Sequence, residues 1–157
     1  MPLLERLARL SALLAGALIV GVALLTCVSL IGRNTTGATL AGDFELTGVA
    51  AGAAIALFLP WCQLRRGHII VDFFTARAGA RTNALLDRFG ALVLGLMLAL
   101  IAWRCTVGGL SAWRNHSGTM MLNFPEWIVY ALMVPPLGLA AVIAVAQFAR
   151  GLGEVAE

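Results

Sequence analysis

Charged residues are scarce in this sequence: 12% of its 157 residues are charged, whereas 61% are hydrophobic. A soluble domain carries about 25% charged residues, so the composition excludes an ordinary soluble protein. The mean hydropathy of +0.92 predicts that a lipid bilayer solvates much of the chain. The net charge is only +3 and the arginines adjoin apolar segments, so nucleic acid is not an expected partner.

The residues that redox and hydrolytic chemistry require are missing or too widely spaced. Cys27, Cys62 and Cys105 lie far apart and form no CxxC pair, so we interpret them as small apolar residues of helices. His68 and His116 are predicted on opposite sides of the membrane and therefore cannot share a haem. The sequence also has no phosphate-binding loop. We expect no catalytic residue, no cofactor and no metal.

Four apolar segments are each long enough to cross a membrane. A helix rises about 1.5 Å per residue, so about 20 apolar residues cross a hydrocarbon core of about 30 Å. Backbone groups in lipid need internal hydrogen-bond partners, and the sequence lacks an alternating barrel pattern, so these segments are predicted to be helices. The predicted fold class is an all-α integral membrane protein, a single domain over residues 1–157. Its four transmembrane helices are predicted at about 10–32, 45–64, 86–113 and 126–149.

The arginines predict the orientation of the chain, because cytoplasmic loops of membrane proteins carry an excess of basic residues. The richer side holds Arg6, Arg9, Arg65, Arg66, Arg77, Arg81, Arg88 and Arg150. The poorer side holds Arg33 and Arg114, together with Arg104 if it reaches that interface. Both termini and the central loop are therefore predicted to be cytoplasmic.

The central loop carries an amphipathic segment between the second and third predicted helices. One face of a helical wheel collects Ile69, Ile70, Phe73 and Phe74. This pattern predicts a short interfacial helix over about residues 69–80, lying on the cytoplasmic surface of the membrane. An irregular loop with several apolar residues is the alternative.

Ionisable residues inside the predicted helices are few. Arg104 interrupts the third apolar segment, and we interpret it as snorkelling to the outer interface, with a substrate role as the alternative. Arg33 and Glu45 lie at the ends of the first two helices, on the same side. We expect these two residues to lie close together and pair, whereas the alternative is that either one serves docking of a partner.

Small residues recur at intervals of four on three of the predicted helices. Such stripes let helices approach closely in a membrane. Their role is open between packing inside the chain and docking to a partner membrane protein. The stripes consist of Ala17 and Gly21, of Gly48, Gly52 and Ala56, and of Ala91, Gly95 and Ala99.

Several short motifs follow one another in a characteristic order. Arg33 ends the first helix and Glu45 opens the second. The later motifs are Gly67-His68-Ile69-x-Val71-Asp72, Pro125-x-Trp127-x-x-Tyr130 and Pro135-x-x-Gly138. In this order, with four helices and at this length, the chain resembles the small membrane subunit of tripartite ATP-independent periplasmic (TRAP) transporters.

The resemblance implies an accessory role in a heteromeric complex. In this family a periplasmic solute-binding protein captures an organic anion, and a large membrane subunit carries it inward, coupled to sodium. The small subunit braces the large one and helps to dock the binding protein, surrounded by membrane lipids. The chain would then be a multi-pass protein of the bacterial inner membrane. The candidate interface or structural residues are Arg33, Glu45, Gly48, Gly52, Gly67, His68, Asp72, Pro125 and Trp127.

Two other functions are alternatives. A membrane anchor of a redox enzyme would need haem-ligating histidines in or near facing helices. A small stand-alone exporter would need an acidic residue deep inside the membrane. The sequence shows neither feature within the four apolar segments.

Overall fold

Four long helices make up the computed structural model, which describes residues 2–35, 37, 42–65 and 80–150. The helices are α1 (Pro2–Thr35), α2 (Asp43–Leu64), α3 (Ala80–Arg114) and α4 (Glu126–Arg150). Each of them is long and apolar enough to cross a membrane. This finding confirms the prediction of four helices able to cross a membrane and, over the described residues, of an all-helical fold.

Two of the helices extend beyond the apolar segments that predicted them. α1 includes Arg6 and Arg9, and α3 begins at Ala80, ahead of Arg88. Hydropathy marks only the part of a helix that contacts hydrocarbon, whereas backbone hydrogen bonding continues into the polar interface. The 35 residues of α3 therefore span about 52 Å, compared with a hydrocarbon core of about 30 Å.

The helices pack as two hairpins side by side. α1 packs against α2, α3 packs against α4, and α2 packs against α4 in the middle. The centre of the core is formed by Ala56, Leu98, Leu137, Ala140 and Ala141. Alanine predominates there because small side chains let helix backbones approach closely where lipid offers no hydrophobic driving force. α4 supplies most of this core and contacts both neighbours.

The interface between α2 and α4 follows the period of a helix and ends in a polar pair. On α2, buried residues recur at Ala53, Ala56, Pro60 and Gln63. The Nε2 of Gln63 donates to Oε1 of Gln147 at 2.8 Å, and the Nε2 of Gln147 donates to the backbone carbonyl of Gln63 at 3.0 Å. These bonds satisfy amide groups that would otherwise be costly to place between transmembrane helices.

The outward faces of α1 and α3 are apolar and exposed. The largest exposed residues on them include Leu13, Leu24 and Ile31 of α1, and Leu96, Leu100 and Trp103 of α3. Such surfaces are stable only when lipid or another membrane protein covers them. α1 and α3 therefore contribute much of the apolar outer surface, while α2 and α4 form the contact between the two hairpins.

Most of the predicted central loop lies outside the described residues. The interfacial helix predicted over about residues 69–80 falls there except for Ala80, which is the first residue of α3. Gly67, His68 and Asp72 also lie outside the described part of the chain.

Candidate functional site at the Glu45 end of the bundle

The loop between α3 and α4 is a compact turn. An isolated antiparallel bridge pairs Gly118 with Pro125 at its base. The backbone N–H of Thr119 donates to the Phe124 carbonyl at 3.0 Å, and that of Asn123 donates to the Thr119 carbonyl at 3.0 Å. The Phe124 N–H also donates to the Thr119 hydroxyl oxygen at 3.1 Å. These bonds fix the shape of the turn, whose tip is formed by residues 120–122.

The tip of this turn binds the carboxylate of Glu45, in the first turn of α2. The Met121 N–H donates to Oε1 at 2.8 Å, and the Leu122 N–H donates to Oε2 at 3.2 Å. Successive backbone N–H groups in a turn form a concavity that binds anions. Here a carboxylate from the neighbouring hairpin occupies that concavity.

Gly42 lets the start of α2 come close to the same turn. Its φ of 81° lies in the left-handed region that favours glycine. Its carbonyl accepts the N–H of Leu46 at 3.0 Å and so begins the helix. A Cβ at this position would overlap the side chain of Leu122. The lack of a side chain therefore permits both the backbone conformation and the approach of the turn.

Arg33 does not form the predicted ion pair with Glu45. Between these two described residues there is no salt bridge, because the Glu45 carboxylate binds the α3–α4 turn instead. Arg33 is exposed beside a shallow hollow on α1. α1 and α2 are joined at this end by another contact, in which the Ser29 hydroxyl donates to Oδ2 of Asp43 at 2.5 Å. Backbone N–H donors, which leave no mark in a sequence, thus bind the carboxylate that the prediction paired with the arginine.

At this end of the bundle, exposed apolar side chains surround the Glu45 carboxylate, which is hydrogen-bonded to the turn. Phe44 is 87% exposed, Met120 100% and Met121 73%. Within the described residues, no three His, Cys, Asp or Glu side chains come together as a metal site. The arrangement is suited to contact with a protein or a membrane surface, since it joins a rigid turn to exposed apolar groups.

A comparison with known protein families matches residues 22–154 to the DctQ component of tripartite ATP-independent periplasmic transporters. The chain belongs to this family. The match covers most of the sequence and confirms the resemblance inferred from its motifs. As a DctQ component with four helices able to cross a membrane, the chain is a multi-pass membrane protein and part of a transporter, not an enzyme. No curated protein and no solved structure matches it.

In this DctQ component the Pro125-x-Trp127-x-x-Tyr130 motif joins α4 to α3. The Trp127 ring meets Trp113 edge to face, with the ring centroids 4.6 Å apart. Tyr130 packs onto Gly109, where an added Cβ would lie 2.8 Å from the Tyr130 Cβ. Pro125 precedes the first residue of α4 and forms the isolated bridge with Gly118 across the turn. Pro125 and Trp127 thus contribute directly to the packing of the second hairpin.

The small-residue stripes of the DctQ component divide between the inside and the outside of the bundle. A Cβ on Gly95 would lie 3.2 Å from the Cβ of Ala144, so this part of α3 packs against α4. Gly48 and Gly52 have no described atom within 4 Å of the position that a Cβ would take. Ala56, one turn further along α2, is buried in the core. The Gly48–Gly52 part of the stripe therefore faces away from the chain's own helices.

Sequence reasoning missed the residues that join the two hairpins. Gln63 and Gln147 carried a usable signal, because polar side chains in otherwise apolar helices tend to hydrogen-bond across to a neighbouring helix. Thr119 and the N–H groups of the turn carried none. Arg104 is exposed on α3, on the outside of the bundle.

Proposed function

We propose that this DctQ component is the accessory small membrane subunit of its transporter and braces the large transport subunit during sodium-coupled uptake of an organic anion. A periplasmic solute-binding protein delivers the anion. The chain lies in the bacterial inner membrane with both termini in the cytoplasm, so the Glu45 end faces the periplasm. The observation that carries the proposal is the family match over residues 22–154.

The contacts between the two hairpins support a bracing role. Glu45 holds the α3–α4 turn at one end of α2, and Gln63 holds Gln147 near the other end. Residues 45 and 63 are separated by about 27 Å along the helix. Contacts at both ends of α2 resist sliding or splaying of one hairpin relative to the other. A subunit of this kind is a suitable fixed support for a partner that moves.

The outward face of α2 supports docking to the large subunit. It runs from Phe44 through Gly48 and Ala51 to Ile55, at a spacing of three or four residues, and Ile55 is 66% exposed. Gly48 has open space where a Cβ would lie. Small residues flanked by large apolar ones let a partner helix approach closely and then pack against the flanking side chains.

The exposed tip of the α3–α4 turn supports contact with the binding protein. Met120 and Met121 project from a turn that the Glu45 carboxylate holds in place. Methionine side chains adapt to irregular partner surfaces. In the proposed orientation this tip faces the compartment from which the binding protein arrives.

Reconstitution in liposomes tests the proposal. Vesicles contain the large subunit alone, this chain alone, or both, and receive the binding protein, an organic anion and an inward sodium gradient. Only vesicles with both subunits should accumulate the anion. Uptake by this chain alone would identify a stand-alone transporter. Uptake by the large subunit alone, at the rate of the pair, would remove the bracing role.

A matched pair of glycine substitutions tests the docking face. Gly48→Leu should reduce copurification of the large subunit while leaving the thermal unfolding of this chain nearly unchanged, because the new side chain enters open space. Gly109→Leu should instead destabilise this chain itself, because it meets Tyr130. If Gly48→Leu leaves copurification and uptake intact, the large subunit docks on another face.

A further inference from the structure

Two hollows lie side by side where α3 and α4 meet at the Glu45 end of the bundle. Each has a volume of about 350 Å³, and Trp113 and Trp127 line both of them. This volume lies in the range of about 300–1,000 Å³ that is typical of small-molecule sites. The edge-to-face pair of tryptophans thus forms a wall shared by two neighbouring spaces of different chemistry.

The first hollow is apolar and lies within the membrane-spanning part of both helices. Besides the tryptophans it is lined by Gly109, Tyr130, Ala131 and Pro135, among others. Gly109 belongs to this lining because its lack of a side chain lets Tyr130 pack directly against α3. Water there would find few hydrogen-bond partners, whereas hydrocarbon would gain contact with the aromatic and aliphatic walls.

The second hollow is more polar than the first, although apolar groups still make up the larger part of its lining, and it lies beyond the end of α3. His116, Ser117 and Asn123 line it, and their side chains supply imidazole, hydroxyl and amide hydrogen-bond donors. Arg114, the last residue of α3, is exposed and precedes His116 by two positions in the chain, but it does not line the hollow. Imidazole, hydroxyl and amide donors suit the oxygens of a phosphate group and of the ester groups next to it.

We propose that the two hollows form one binding site for a phospholipid. One acyl chain lies in the apolar hollow against Tyr130, and the phosphoglycerol group lies in the polar hollow at His116. The order of the hollows matches the molecule, since the apolar one lies at membrane depth and the polar one at the membrane surface. A partner helix would insert only single side chains into the apolar hollow and leave the polar hollow to water, whereas an amphiphile fills both.

Native mass spectrometry of the full-length chain in mild detergent tests this site, using phosphatidylglycerol and a diacylglycerol with the same acyl chains. The wild-type chain should retain one phosphatidylglycerol and bind it at least tenfold more tightly than the diacylglycerol. Ala131→Trp fills the apolar hollow from an exposed position and should weaken binding at least tenfold. Ala99→Trp, exposed on α3 outside the hollow, is the matched control and should bind as the wild type does.

A substitution of His116 tests the contribution of the polar hollow. His116→Ala should reduce the preference for phosphatidylglycerol over the diacylglycerol several-fold while leaving diacylglycerol binding unchanged. Equal binding of the two lipids by the wild-type chain, or equal weakening by Ala131→Trp and Ala99→Trp, would show lipid held at the general surface only and would overturn the proposal.

Fluorescence supplies a measurement that does not depend on the Ala131 variant folding. In a chain with Trp61→Phe and Trp103→Phe, only Trp113 and Trp127 emit. A phosphatidylglycerol brominated on its acyl chain should quench this emission in a saturable way, at one lipid per chain. Quenching that rises linearly with lipid fraction, without saturation, would indicate random contact and contradict the site.

Discussion

Gln63 and Gln147 form a reciprocal amide pair between α2 and α4, with one hydrogen bond of 2.8 Å between their side chains and one of 3.0 Å to the Gln63 carbonyl. Both side chains are almost fully buried, at 4% and 2% exposure. A buried amide that loses its partner costs more than the bond itself contributes, because the remaining group stays desolvated. Substitution of these two glutamines therefore tests how strongly the contact between α2 and α4 stabilises the chain.

Gln63→Leu should destabilise the chain by about 1–3 kcal/mol, because Oε1 of Gln147 loses its donor. The double variant with Leu at both positions should recover part of this loss, since no amide side chain is then left in the interface. Thermal unfolding in detergent, followed by helical circular dichroism, measures the difference. A double variant less stable than Gln63→Leu would show that the two side chains act independently.

Glu45→Gln should loosen the α3–α4 turn without unfolding the helices. In the wild-type chain the Met121 and Leu122 N–H groups bond to different oxygens of the carboxylate, and the amide replaces one of these oxygens with an NH₂ group, which is a donor and so opposes the N–H that faces it. Hydrogen exchange at these two amides should become several-fold faster. Glu126→Gln at the start of α4 is the matched control, because its carboxylate accepts neither of these bonds. Unchanged exchange in the Glu45 variant would contradict the role given to its carboxylate.

Gly42→Ala should be more harmful than Gly37→Ala. Both glycines have a positive φ, of 81° and 69°, so each substitution carries a strain of about 1–2 kcal/mol. Only Gly42 also faces the Leu122 side chain, whereas Gly37 has no described atom within 4 Å of an added Cβ. Thermal unfolding compares the two variants. On a Leu122→Ala background the difference between them should shrink, and a difference that persists would rule out the overlap as its cause.

The orientation can be measured in intact cells with an impermeant thiol reagent. After replacement of Cys27, Cys62 and Cys105, a cysteine at the fully exposed Met120 should react. A cysteine at Glu5, exposed near the start of α1, should react only after the cells are opened. The reverse pattern would place the Glu45 end in the cytoplasm and remove the proposed contact with the binding protein.

The existence of the four helices could be read from the sequence, but their arrangement could not. Apolar runs mark the parts of a helix in hydrocarbon, which is why α1 was predicted from about residue 10 although it begins at Pro2. Small residues occur on several helices, so the pattern alone could not show that Gly95 packs against Ala144 whereas Gly48 faces outward. The choice depends on how far each helix is rotated about its axis, and that rotation is set by packing between hairpins distant in sequence.

The candidate site was predicted only in part. Glu45 was singled out correctly as an acid at the start of α2, but its partner was taken to be a charged side chain. The true donors are main-chain N–H groups of Met121 and Leu122, which every residue except proline possesses. No residue type at positions 120–122 could have revealed them, because the turn's shape, and not its composition, creates the site.

The contacts that join the hairpins also impose an order on the making of this protein. Met121 and Glu45 lie 76 positions apart, and Gln147 and Gln63 lie 84 apart. While the ribosome is still producing α3, the first hairpin is already in the membrane and has neither partner. Glu45 then lacks the N–H donors that hold its carboxylate until the α3–α4 turn has been made, and Gln63 lacks the Gln147 amide until α4 arrives. An unfinished or truncated chain therefore differs from a finished one by two polar groups that are without these hydrogen bonds.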